Sequence, residues 1–273
     1  ACAEMRSIMA HLTINFRSKA LGMPVMLDVL MPQGRGGYKI LYLLHGAGGD
    51  YASWVLNTRI ADYVNNRNIA VVMPSGKNRF YINNEYGRKF YTYITEELVS
   101  QCEKWFDISC NAEDRYIAGM SMGGYGAVYA ALKKPSMYNT AFAYSGLLNI
   151  LERYDKPQGI DMFPVFGTRQ QLIDNGYDLY TLVDEYAERM KVSNVDINND
   201  NANNKGKMHT KYIIACGTED PRIHMSRQFG EALTRAGIDN VYRESPGEHN
   251  FAYWDYCIEQ TVKYICGEDS SWQ

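Results

Sequence analysis

The chain has 273 residues, 46% hydrophobic and 22% charged, a balance that fits one large folded domain and excludes a disordered chain. Its 28 basic and 31 acidic residues leave a net charge of -3 with no basic block able to track a phosphate backbone, so nucleic acid is not an expected partner. No apolar run reaches the roughly 18 to 20 residues that cross a bilayer, and even Ile40 to Leu44 stops at His45, so no membrane span is expected.

Thr13 to Phe16 and Val25 to Leu30 read as two strands joined around the turn signal Leu21-Gly22, an antiparallel opening to a sheet. After the glycine-rich loop Pro32 to Gly37, the apolar run Tyr38 to Leu44 fits a strand buried on both faces. The glycine-dense turn His45-Gly46-Ala47-Gly48-Gly49 follows it. Residues 55 to 67 have helical spacing, and Ile69 to Met73 is a short buried strand closed by Pro74-Ser75-Gly76. Glu96 to Phe106 reads as a helix, Arg115 to Ala118 as a strand, and Gly124 to Lys134 as a helix of small residues stopped by Pro135. Further on, Thr140 to Ser145, Lys211 to Cys216 and Val241 to Glu244 are strands, while Met225 to Ala236 and Phe251 to Ile265 are helices.

This alternation predicts an α/β fold with a mostly parallel central sheet and helices on both faces. The pattern weakens from residue 147 to 208, which predicts a small insertion, lid-like and not a large cap, within a single domain spanning 1–273. Inside the insertion Tyr177 to Met190 looks helical, and the Asn- and Asp-rich tract Asn198 to Asn204 reads as a surface loop.

Six cysteines (Cys2, Cys102, Cys110, Cys216, Cys257, Cys266) form no CxxC pair, and a chain of this size needs no staples, so reduced thiols are expected. The N-terminus lacks a charged segment followed by an apolar stretch and a small-residue cleavage site. The chain does not begin with Met, and the expectations this raises are a removed leader or a vector-derived remnant at Ala1 to Glu4 ahead of Met5 or Met9.

Gly119-Met120-Ser121-Met122-Gly123 lies between a strand and a helix, the order that a nucleophile elbow demands. The turn strains the serine backbone, and the flanking glycines remove Cβ atoms that would collide with the neighbouring strand and helix. The plainer alternative is a serine that caps a helix after a glycine-rich turn. A serine hydroxyl needs a base, and of five histidines His249 is best placed, in the loop Pro246 to Asn250 between a strand and the closing helix. The imidazole in turn needs a carboxylate, and Asp220 follows the strand Lys211 to Cys216 through Gly217-Thr218-Glu219. Glu219 is its nearest rival, Asp239 stands behind, and a turn-forming role before Pro221 is the bland reading of Asp220. For the oxyanion hole the N–H of Met122 is expected, joined by that of Ala47, with Gly46 second. His45 is expected to shape this loop by hydrogen bonds, with a substrate contact as the further expectation.

With these residues in hand, the chain resembles the tributyrin-esterase family of α/β-hydrolases, which is similar to feruloyl esterases, acetyl-xylan esterases and S-formylglutathione hydrolases. The likeness runs from about Leu12 to Ile265 and rests on six ordered stretches: Leu43-Leu44-His45-Gly46, Tyr93 to Leu98, Gly119 to Gly124, Tyr177 to Tyr180, Cys216 to Asp220, and Gly247 to Phe251. The resemblance implies a serine esterase of short acyl groups that needs no cofactor or metal, with catalytic and oxyanion roles on the positions already named. It also implies a start near Met9 and a cytoplasmic protein, the alternative being a secreted chain whose leader is gone. The chain departs from the family pattern at Phe251, where Trp is common, and in the length of its Asn-rich stretch.

The expected partner is a small-molecule or carbohydrate-linked ester, acetyl, butyryl or feruloyl, and homo-oligomerisation is left open. Phe80, Tyr81, Tyr86, Phe90, Tyr91 and Tyr93 crowd one segment of a chain with 22 tyrosines. Most should be packing residues, with Gly46, Trp254, Phe251 and Tyr81 the expected substrate contacts beside His45. Other readings are acyl transfer to a sugar or lipid acceptor, an S-formylglutathione hydrolase-like thioesterase, and an inactive carbohydrate-binding relative, against which the intact set of three residues argues.

Overall fold

Apolar residues alternate between two faces along each central strand, and that alternation builds the molecule. The computed structural model describes residues 9–34, 36–84, 87–157, 159–197 and 209–273. Among them, β1 (Met9–Ser18), β2 (Met23–Pro32), β3 (Lys39–Leu44), β4 (Ile69–Pro74), β5 (Arg115–Met120), β6 (Thr140–Tyr144), β7 (Lys211–Gly217) and β8 (Asn240–Ser245) form one sheet in the order β1-β2-β4-β3-β5-β6-β7-β8. β2 pairs antiparallel with both β1 and β4, and every pairing from β4 through β3 to β8 is parallel.

On β3, Ile40, Tyr42 and Leu44 enter one hydrophobic cluster while Leu41 and Leu43 enter another on the opposite face. Both faces are therefore covered, as parallel sheets require. The covering helices are α1 (Ser53–Asn57), α2 (Ile60–Val64), α3 (Phe90–Thr92), α4 (Leu98–Trp105), α5 (Met122–Lys133), α6 (Ile150–Asp155), α7 (Phe163–Phe166), α8 (Arg169–Asp174), α9 (Leu179–Ile197), α10 (Ile223–Arg235) and α11 (Phe251–Ile265). α1, α2 and α11 lie on one face, and α3, α4, α5, α9 and α10 on the other.

Several expected boundaries shift. The single helix expected over residues 55–67 is two, α1 and α2, because the Arg59 N–H is drawn to the Asp255 carboxylate on α11 at 2.7 Å and Thr58 turns extended. The helix expected from Glu96 begins at Phe90 and passes through a π-helical turn, Tyr93–Glu97, into α4. Burial of Phe90, Tyr93 and Ile94 drives that extension, which local spacing does not show. Between β6 and β7, α6, α7 and α8 precede α9, three short helices without an amphipathic period long enough to read. The Asn198 to Asn204 tract, Tyr86 and Cys2 lie outside the described residues. Among the described residues Cys102, Cys110, Cys216, Cys257 and Cys266 are free thiols. No described helix is long and apolar enough to cross a membrane.

Candidate active site

β3, β5, β7 and β8 are adjacent or nearly so in the sheet, and the loops leaving their carboxyl ends carry Ala47, Ser121, Asp220 and His249 to one edge. Ser121 joins β5 directly to α5 with φ 53° and ψ -114°, a strained geometry for a residue with a Cβ. Its N–H donates to the Tyr144 carbonyl at 2.9 Å, while its carbonyl accepts from Leu147 N at 3.1 Å. Glycines make the turn possible: a Cβ on Gly119 would lie 2.3 Å from the Gly123 carbonyl, and one on Gly123 would lie 2.4 Å from the Leu44 carbonyl oxygen. Ser121 is thus held at the mouth of the sheet, directly before the positive end of a helix of 12 residues.

The structure brings Ser121, His249 and Asp220 into one hydrogen-bonded line. His249 Nδ1 lies 2.7 Å from Asp220 Oδ2, and Nε2 lies 3.1 Å from Ser121 Oγ. Facing a carboxylate, Nδ1 carries the proton, which leaves the Nε2 lone pair toward the serine side. Asp220 is also fixed from behind, its Oδ1 accepting from Arg222 N at 2.8 Å. Burial pushes the Asp220 carboxyl up, but the hydrogen bond and charge of His249 and the contacts of Ser145 and Arg222 outweigh it, holding it below its ordinary value. The rival carboxylates are elsewhere: Glu219 Oε2 accepts from Gly247 N at 2.6 Å, and Asp239 immediately precedes β8, its carbonyl accepting from Tyr212 N.

Asn250 caps α11 by accepting from Tyr253 N at 3.2 Å, so the loop that carries His249 ends on a fixed helix start. Gly247 has φ 152°, a conformation that glycine tolerates best, and its Cα lies against the Tyr253 ring.

Met122 opens α5, where no intrahelical carbonyl is available to its N–H. Among the described residues no acceptor takes the N–H of Met122, Ala47 or Gly46. Gly46 is buried against Ser121, so close that a Cβ on it would lie 3.5 Å from the serine Cβ, while Ala47 is exposed on the cleft side. An oxygen bound between the two turns would meet donors from both.

A cleft of about 520 Å³ opens over Ser121 and His249, lined among others by Gly46, Ala47, Leu147, Phe251 and Trp254. Trp254 meets the His249 ring edge-on at a centroid distance of 5.1 Å. His45 and Tyr81 do not reach this cleft, which corrects the expectation that they touch substrate. His45 is 1% exposed; its Nδ1–H donates to the Gly46 carbonyl at 2.7 Å and its Nε2 accepts from Gly76 N at 2.8 Å. Burial lowers the proton affinity of this ring, in keeping with an Nε2 that must stay unprotonated to accept. Tyr81 is wholly buried between Gly76 and Gly126, and its hydroxyl donates to the His45 carbonyl at 2.9 Å. Both residues therefore brace the turn that carries Gly46 and Ala47.

Sequence reasoning missed Arg153 and Arg222, which also line the cleft. Arg222 stands two positions after Asp220, a spacing that could have flagged it, whereas Arg153 on α6 lies in the insertion, where no motif marks it. Among the described residues no three His, Cys, Asp or Glu side chains converge as metal ligands would.

Residues 18–265 match the family described as "Putative esterase". The chain is similar to the acetyl esterase of Caldicellulosiruptor saccharolyticus, 28% identical over 94% of this chain and 98% of that protein. Among solved structures it is similar to the substrate-bound fluorophosphonate-binding serine hydrolase FphF of Staphylococcus aureus, with a TM-score of 0.82 and 27% identity over 94% of this chain and 98% of that one. The S-formylglutathione hydrolase FrmB of the same organism superposes with a TM-score of 0.80 at 27% identity, over 95% of this chain and 100% of that one.

Proposed function

The chain belongs to the Esterase family and is a carboxylic ester hydrolase, and on that premise we propose that Ser121 attacks the carbonyl of short-chain acyl esters, acetyl or butyryl, through an acyl-enzyme intermediate. The observation that carries this reading is the single imidazole of His249 bridging Asp220 Oδ2 at 2.7 Å and Ser121 Oγ at 3.1 Å.

As the serine oxygen forms its bond to the carbonyl carbon, its proton passes to His249 Nε2, and Asp220 stabilises the imidazolium. The carbonyl oxygen, now negative, accepts from the N–H of Met122 and from that of Ala47 or Gly46. His249 then returns the proton to the leaving alcohol, and water, activated by the same nitrogen, hydrolyses the acyl-enzyme. The likeness to an acetyl esterase supports a small acyl group, and the cleft walls of Leu147, Phe251 and Trp254 supply apolar surface for it. Larger acids such as ferulate, and acetyl groups on plant carbohydrates, stand as further candidates for the same site.

A second reading, hydrolysis of a formyl thioester, is supported by the likeness to the S-formylglutathione hydrolase. Side-by-side turnover of p-nitrophenyl acetate, p-nitrophenyl butyrate, a feruloyl ester and S-formylglutathione by the wild type tests both. A clear lead for the acetyl or butyryl ester, with an acetyl adduct on Ser121 in the intact mass, is the expected result. A lead of tenfold or more for the thioester would replace it with the second reading, and absence of any adduct at Ser121 would remove the proposed nucleophile.

A further inference from the structure

The charged side chains that line the cleft are both cationic: Arg153 from α6 and Arg222 from the loop after β7, with no Asp or Glu among the lining residues. Arg222 Nη1 lies 2.7 Å from His249 Nε2, closer than the 3.1 Å that separates Nε2 from Ser121 Oγ. A neutral imidazole whose Nδ1–H faces Asp220 has one lone pair, at Nε2, and here a guanidinium competes with the serine hydroxyl for it. Among the described residues no carboxylate forms an ion pair with the Arg222 guanidinium. Arg153 is buried to 4% exposure, and one Nη donates to the Lys156 carbonyl at 3.1 Å. Burial first, and then the charge of Arg222, lowers the proton affinity of Arg153.

We propose that Arg153 and Arg222 select esters whose alcohol carries a carboxylate close to the scissile bond, and that pairing of this carboxylate with Arg222 draws the guanidinium off His249 Nε2. The inference rests on the esterase reading of this site and names the substrate class within it. The alcohol side follows from the geometry, because Nε2 is the atom that hands its proton to the leaving oxygen, and Arg222 sits on that atom. A planar carboxylate matches the guanidinium fork and gives Arg222 a stronger acceptor than the imidazole nitrogen. Once Arg222 has turned to the substrate, the Nε2 lone pair is open to the serine proton. A neutral ester lacks this exchange and must compete with the arginine for the base.

Two acetyl esters that differ by one charge test the idea: 3-acetoxybenzoate and its methyl ester, with release of the phenol followed by chromatography. For the wild type, kcat/KM is expected to favour the anionic ester by about tenfold or more. In Arg222→Met that preference should fall by about tenfold, mainly through KM of the anionic ester, and Arg222→Lys should keep part of it. Equal rates on the two esters, or a preference untouched by Arg222→Met, overturn the inference while leaving the esterase reading standing. If neither ester is turned over while p-nitrophenyl acetate is, calorimetry with 3-hydroxybenzoate decides; if p-nitrophenyl acetate and butyrate are not turned over either, the short-chain ester reading fails and the same calorimetry still tests the anion site. Binding weakened about tenfold in Arg222→Met supports the anion site, and absent or equal binding overturns it.

Discussion

Gly217 and Gly247 meet backbone to backbone: a Cβ on Gly217 would lie 2.1 Å from the Gly247 carbonyl oxygen. Gly217 ends β7 on the way to Asp220, and Gly247 lies in the loop that presents His249, so Asp220 and His249 rest on one packed joint. Glu219 closes the same joint from outside, its N–H donating to the Gly247 carbonyl at 3.0 Å and its carboxylate accepting from the Gly247 N–H at 2.6 Å. Gly217→Ala must move backbone, not a flexible side chain. It is expected to cost about 2–4 kcal/mol in stability and, by shifting the imidazole about 1 Å, to lower kcat/KM roughly 100-fold at temperatures where the variant is folded. Urea melts with parallel ester assays check both, and wild-type activity in the folded variant would show that the joint does not set the distance between His249 and Ser121.

Ser121 carries the strained backbone of the elbow, φ 53° and ψ -114°, and strain of this kind is worth about 1–3 kcal/mol, against about 0.5–1 kcal/mol lost when glycine is ordered. Strain relief outweighs the entropy. Ser121→Gly is therefore expected to melt above Ser121→Ala, while both lose roughly four to six orders of magnitude in turnover of p-nitrophenyl acetate or butyrate. If the alanine variant kept near-normal turnover, Ser121 would not be the nucleophile; if it melted at or above the glycine variant, the backbone would not be strained.

Asp220 has its carboxyl held below the ordinary value by His249, against the opposing pull of burial. A group whose folded pKa lies below its unfolded one contributes stability above the unfolded value, and that contribution fades as pH falls through the folded value. The stability gap between wild type and Asp220→Asn should thus be full near neutral pH, begin to narrow at about pH 4 and close further below it. Turnover should fall by about three to four orders of magnitude, because an amide no longer fixes the proton on Nδ1. A gap that stays constant down to the acid unfolding limit would mean that the carboxylate gains nothing from its partner on folding.

Family, fold class and the residues that meet at Ser121 were legible because each sits in a short motif at a strand end, where local chemistry and global position coincide: Gly119 to Gly123 at the elbow, Gly217 to Asp220 after β7, Gly247 to Asn250 before α11. The lateral walls of the site were not. Arg153 stands on a helix of six residues in a segment with no readable period, and its place at the cleft is set by how that segment folds back over the sheet. The split of α1 from α2 is equally non-local, since it depends on Asp255 reaching Arg59 from far along the chain. Tyr81 misled for a related reason: an aromatic beside other aromatics reads as pocket lining, yet Gly76 and Gly126 leave a slot that its ring fills completely.

That slot makes Tyr81 a brace for the oxyanion turn, and its hydroxyl is the part that can be removed cleanly. Tyr81→Phe keeps the ring between Gly76 and Gly126 and deletes only the 2.9 Å hydrogen bond to the His45 carbonyl. Loss of one buried neutral hydrogen bond, with its acceptor left behind, costs about 1–3 kcal/mol. The turn it supports carries Gly46 and Ala47, whose N–H groups are proposed to meet the charge that builds on the substrate oxygen, so the kinetic effect should fall on kcat, by a few-fold to about tenfold, with KM nearly unchanged. His45 sharpens the expectation, because its ring already ties the same turn to Gly76 through Nε2 at 2.8 Å and so limits the collapse to a partial one. Steady-state kinetics on acetyl and butyryl esters separate the two roles of Tyr81. An effect confined to KM, and larger for the butyryl ester, would return this tyrosine to the wall of the acyl pocket, whereas a uniform fall in kcat leaves it where its burial puts it, behind the turn.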